Sequence, residues 1–126
     1  MHTLMVRKEF IASHYLIGGD WGRECAPHAH RYVLDLELEG RTLDSHNYLV
    51  DILRVEEVLG TVIDRYRDRL LNDLSEFEGQ NPSIELFSRF LAERLSEPLD
   101  DPGITAVRVT LWESESAWAR YELSRP

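Results

Sequence analysis

The chain has 126 residues, with 14 Lys plus Arg against 23 Asp plus Glu, for a formal net charge of −9 at neutral pH. That length suits one domain over residues 1–126, and 43% hydrophobic with 29% charged residues describes an ordinary globular protein. The acidic balance argues against a nucleic-acid binder or a protein docked on anionic lipid, no apolar run approaches the roughly 20 residues of a membrane span, Met1–Lys8 lacks the apolar core of a signal peptide, and a lone cysteine rules out an internal disulfide and suits the reducing cytoplasm.

From Leu4 to Leu16 the pattern alternates, with Val6, Phe10, Ala12 and His14 on one parity and Arg7 and Glu9 on the other. This predicts a strand with one buried face. A loop at Gly18–Gly22 follows. From His28 to Glu39 the alternation is cleaner: Tyr32, Leu34, Leu36 and Leu38 share a parity with His28 and His30, against Asp35, Glu37 and Glu39. Between Val50 and Leu71, Val55, Val58, Leu59, Val62, Ile63 and Tyr66 recur at three- and four-residue steps and predict a helix. After a loop at Glu78–Pro82, a second helix is expected with Asn81 as its N-cap, Pro82 in its first position, and Ile84, Phe87, Leu91 and Leu95 as its buried stripe. A third loop, Glu97–Gly103, leads to strands at Ile104–Trp112 and Trp118–Leu123, joined by a hairpin over Glu113–Ala117. The order strand-strand-helix-helix-strand-strand indicates an α+β fold, an antiparallel four-stranded sheet with both helices on one face. The other face would be exposed in a monomer, and an exposed apolar sheet face calls for an oligomer.

All five histidines (His2, His14, His28, His30 and His46) lie at or before position 46, and none follows. His28 and His30 occupy positions i and i+2 of a strand, so their imidazoles leave the same face. His14 ends the neighbouring strand on the apolar parity. If the two strands pair, three nitrogens converge, leaving the open fourth position of a catalytic zinc site, which acidifies a water or polarises a carbonyl. His-x-His alone reads more readily as partly buried strand histidines with backbone partners; adding His14 and nearby Cys25 reverses the preference towards a metal site. His2 and His46 read as loop or solvent residues. Cys25 is open to four roles: fourth zinc ligand, nucleophile, general base or inert thiol.

Phe10-Ile11-Ala12-Ser13-His14 and Cys25-Ala26-Pro27-His28-Ala29-His30-Arg31-Tyr32 together resemble the metal signature of the 6-pyruvoyl-tetrahydropterin synthase and 6-carboxy-tetrahydropterin synthase family: F-x-A-x-H, then a cysteine before H-G-H-x-Y. Further stretches resemble the family in the same order. They are Tyr48-Leu49-Val50-Asp51-Ile52 before the first helix, Leu71-Asn72-Asp73, Asn81-Pro82-Ser83-Ile84-Glu85, Val107–Ser114 and Ala119-Arg120-Tyr121. The resemblance implies a tunnelling fold, assembled as a hexamer with sites shared between subunits. It implies zinc on His14, His28 and His30, and 7,8-dihydroneopterin triphosphate as substrate. Cys25 would move protons while triphosphate is eliminated, and Glu113, otherwise a solvated turn residue, would anchor the pterin edge through two parallel hydrogen bonds. The product would feed a tetrahydropterin pathway or the deazapurine route to queuosine.

The chain departs from the family pattern in places. Ala29 replaces the glycine of H-G-H, Ser114 replaces a threonine, and the spacing from Cys25 to His28 is short. Where the family has D-H-x-x-L-N, this chain has Arg67-Asp68-Arg69-Leu70-Leu71-Asn72, so the catalytic histidine is missing. Asp68 is open to two readings: a carboxylate acid or base in its place, or part of a helix-end charge cluster with Arg67 and Arg69. Losing a relay member costs about 10²–10⁴ in rate. Two alternatives to the family reaction therefore stand: a divergent zinc lyase or hydrolase on a related ligand, and an inactive zinc- and pterin-binding paralogue.

Overall fold

The computed structural model describes residues 1–126. Strands β1 (His2–His14) and β2 (His28–Gly40) pair antiparallel from His2 opposite Gly40 to His14 opposite His28. Helices α1 (Ile52–Asp64) and α2 (Ile84–Ser96) follow, then β3 (Ala106–Ser114) and β4 (Ala117–Ser124). The sheet order is β1-β2-β3-β4, antiparallel throughout, so the α+β order expected from periodicity is the one observed. No helix is long and apolar enough to cross a membrane.

One face of the sheet makes the core. Tyr32, Leu34, Leu36 and Leu38 of β2 and Val107, Val109 and Leu111 of β3 are fully buried against Val55, Leu59 and Ile63 of α1 and Phe87, Leu91 and Leu95 of α2. Phe87 is the hub, meeting Phe10, Tyr32, Tyr66 and Phe77 edge-on. Where β2 ends, a Cβ on Gly40 would lie 2.3 Å from the Gly103 carbonyl oxygen and 2.4 Å from Leu49, so only glycine lets these segments meet.

The opposite face is mixed rather than the apolar surface expected: Met5, Ile11 and Trp118 stand exposed on it between charge pairs. Arg7 grips Asp35 through two hydrogen bonds of 2.6 and 3.0 Å, and Trp112 donates to the same carboxylate at 3.2 Å. Arg108 bridges Glu39 at 3.0 Å and also pairs with Glu122, while Arg120 donates to Thr110 at 2.8 Å and lies 4.8 Å from the centre of the Trp118 ring. Charges opposite one another on neighbouring strands neutralise this face. β1 and β4 are the edge strands.

Three boundaries differ from the sequence pattern. The first strand stops at His14 rather than Leu16, because its partner strand begins at His28. The first helix runs Ile52–Asp64 rather than Val50–Leu71. Beyond it the backbone turns through Asp68, at φ +60°, and lies along the edge of β1: Asp68 N–H donates to Ile11 O at 2.7 Å and Ser13 N–H to Arg69 O at 2.9 Å. Arg67 N–H still bonds Ile63 O at 2.9 Å at the helix end, and pairing with an open strand edge replaces helical bonds from Asp68 onward, so Arg69 lies beyond the helix. The second helix is capped by Ser83, whose hydroxyl accepts from Leu86 N–H at 3.1 Å, rather than by Asn81, which is used elsewhere.

Candidate metal centre and adjoining cavity

Antiparallel pairing puts His14 directly opposite His28 and Ala12 opposite His30. All three histidines therefore leave the core face at the same end of the sheet. Their imidazoles meet with ring centres 4.7, 4.8 and 5.0 Å apart, and one ligand nitrogen from each lies within 4.8 Å of the others. Nε2 of His14 and Nε2 of His30 are 3.1 Å apart. Two nitrogens bound to one tetrahedral zinc at 2.0–2.1 Å lie roughly 3.3 Å apart, so this spacing fits the metal.

Outer partners orient the rings. His14 Nδ1 is 2.9 Å from Pro82 O, and His28 Nδ1 is 2.8 Å from Ala26 O. A carbonyl oxygen only accepts, so each Nδ1 carries the proton and each Nε2 presents a lone pair inward. Tyr32, fully buried, places its hydroxyl 3.3 Å from His14 Nδ1. Burial, together with the neighbouring His30 and His28 rings, pushes His14 down to about 4, against the opposing pull of the Pro82 carbonyl. It is thus a neutral base at physiological pH.

Beside His30, on the helix-free face, opens a cavity of about 610 Å³ lined by Arg7, Glu9, Arg31, Trp112, Glu113 and Ser114, among others. Glu113 reaches it because β3 carries an extra residue between Trp112 and Ser114, an irregularity that re-aims a strand side chain. Within the cavity, Arg7 is committed to Asp35, whose carboxyl its guanidinium holds below the usual range. Arg31 lines the same space and makes no ion pair.

The other two expected residues lie apart from the imidazoles. Cys25 ends an exposed 3₁₀ turn (Gly22–Cys25); its thiol accepts from Trp21 N–H at 3.4 Å and faces Gly19 O at 3.7 Å, outside the converging set of nitrogens. Asp68 lines a separate cavity with Arg69, Leu70, Asp73 and Leu74, while Arg67 pairs with Asp64. Tyr32 and Pro82 were legible only as core and helix start, although the tyrosine of His-x-Tyr had the parity to reach His14.

Residues 3–124 match the family described as 6-pyruvoyl tetrahydropterin synthase. The chain belongs to that family. Among solved structures, 6-pyruvoyl tetrahydropterin synthase from Caenorhabditis elegans superposes with a TM-score of 0.86 at 21% identity, covering 98% of this chain and 96% of that one. The synthase from Plasmodium vivax gives 0.81 at 19% identity, with 98% of each chain covered. A dihydroneopterin aldolase from Burkholderia thailendensis, bound to guanine, gives 0.52 at 15% identity over 98% of this chain and 89% of that one. No curated protein sequence matches the chain. The tetrahydropterin synthase architecture is therefore the tunnelling fold expected from the motifs.

Proposed function

We propose that the chain is a zinc-dependent carbon–oxygen lyase acting on 7,8-dihydroneopterin triphosphate, with a 6-carboxy- or 6-pyruvoyl-tetrahydropterin product. Besides family membership, one observation supports this most: three imidazoles converge within ligand distance of one another, and one of them, His30, also borders a cavity whose wall carries Glu113. His14, His28 and His30 would hold the metal. Bound zinc supplies Lewis-acid polarisation of a substrate oxygen. Glu113 accepts two parallel N–H bonds from the amino–amide edge of the pterin ring, fixing its orientation. Arg31, the cavity's uncommitted cation, faces the substrate's phosphates in an otherwise acidic chain. Cys25 is the general base that removes a substrate C–H proton. Asp68 stands in for the missing histidine as proton carrier. Since it lines a separate cavity within its own chain, it would serve the site of a neighbouring subunit in a hexamer.

The deciding experiment incubates zinc-loaded protein with 7,8-dihydroneopterin triphosphate and separates the products by chromatography. Appearance of 6-carboxy- or 6-pyruvoyl-tetrahydropterin establishes the reaction. Zinc and pterin bound without turnover gives the second reading, a divergent or inactive paralogue, which the Arg67-Asp68 sequence favours. Protein that takes up no zinc, and is unchanged by His28→Ala, has neither function.

A further inference from the structure

Beyond His14 the chain has no strand partner, yet it does not loosen at once. Tyr15 N–H donates to Asn72 Oδ1 at 2.9 Å, and Asn72 Nδ2 donates back to Tyr15 O at 3.0 Å. Two residues on, Ile17 N–H donates to Asn81 Oδ1 at 2.6 Å, and Asn81 Nδ2 returns the bond to Ile17 O at 3.1 Å. A carboxamide carries one acceptor and a donor side by side, so each asparagine does for one residue what a neighbouring strand does. The intervening Leu16 sends its N–H to the other edge, to Glu24 O at 2.8 Å, one residue before Cys25. His14 itself bonds Pro82 O, the residue after Asn81.

We infer that Asn72 and Asn81 are positioning residues: they hold Tyr15–Ile17 as a stiff extension of β1, which fixes the His14 ligand in place and ties the Cys25 turn to it. The inference rests on the zinc reading above. Neither asparagine touches a ligand nitrogen. They act on the metal through the backbone that follows His14. Without them, His14 is the end of a strand followed directly by an exposed loop, and its imidazole gains freedom that metal binding must remove.

The test uses the full chain and zinc alone as probe. Zinc affinity is measured by chelator competition for wild type, Asn72→Leu, Asn81→Leu and Ile63→Val, the last a core change that lowers melting temperature without approaching the site. Positioning predicts a 10–100-fold loss of affinity in each asparagine variant, as for other groups that orient metal ligands, with Ile63→Val within about twofold of wild type. Should a leucine variant not fold, Asn72→Asp and Asn81→Asp keep the acceptor and lose the donor, and a partial loss is expected. Wild-type affinity in the asparagine variants, or an equal loss in Ile63→Val, overturns the inference while leaving the proposed function standing. Zinc affinity that falls as expected in a protein without pterin turnover supports the inference and removes the proposed reaction. No zinc uptake by wild type overturns both.

Discussion

At the scale of single residues, His14 carries the most. It is buried, bonded to Pro82 O, and in contact with both other imidazoles. In metal-free protein its folded value of about 4 lies below the ordinary 6.5. Between these values the unfolded chain binds the extra proton. Stability is therefore complete above pH 6.5 and falls as pH drops towards 4, by an amount of order 3 kcal/mol. Urea titrations of chelator-treated protein across that window check the sign, and His14→Gln should flatten the slope. His28→Ala removes one of the three proposed ligands; zinc retained after gel filtration should fall from about one per chain to near none, with the far-ultraviolet dichroism of the fold unchanged. The convergence of the three histidines was legible in the sequence because strand parity and the motif agreed on it. Tyr32 was not separately legible: a buried aromatic on the apolar parity reads as core, and only the pairing of β1 with β2 shows that its hydroxyl meets His14.

At the scale of elements, the segment after α1 shows where pattern reading stops. Apolar spacing from Val55 to Tyr66 continues past the end of the helix, because Tyr66 is buried from a turn as well as it would be from a helix. What ends the helix is an edge of β1 that lies far away in sequence, and no local signal announces it. The same segment is pinned by Glu76. Arg65 reaches this carboxylate at 2.5 and 2.9 Å, the Tyr66 hydroxyl donates at 2.9 Å, and Arg94 of α2 lies at 3.1 Å. Chiefly through Arg65, Glu76 is held down to about 2, against a normal 4.5. Its contribution is complete above pH 4.5 and is lost as pH falls towards 2. Glu76→Gln should thus cost about 2 kcal/mol at neutral pH, with wild type and variant converging in acid. Thermal melts at a series of pH values measure the gap. Asn81 gives the complementary lesson. A capping residue before Pro82 was a sound local reading, but Ser83 takes the cap and frees the amide for Ile17.

At the scale of the whole molecule, element order and sheet class followed from periodicity alone, since four alternating segments and two amphipathic ones leave few ways to bury a shared core. The character of the second face did not. Arg7, Asp35, Arg108 and Glu122 are ordinary surface charges in a linear reading, and only cross-strand register turns them into a paired layer. The edges of β1 and β4 offer open backbone groups to the hexamer we propose. Light scattering should then give a mass several times the 14.7 kDa of one chain, little changed by high salt. One further consequence comes from where the tryptophans fall. Trp112 lines the cavity, the Trp118 ring centre lies 6.2 Å from that of Trp112, and the Trp21 backbone N–H bonds the Cys25 thiol. These are the chain's three indoles, and they stand at the cavity and at the cysteine turn. Ultraviolet emission from the unlabelled protein is therefore a built-in optical gauge: an aromatic ligand settling against Trp112 would quench it, and a shift of the turn would recolour Trp21.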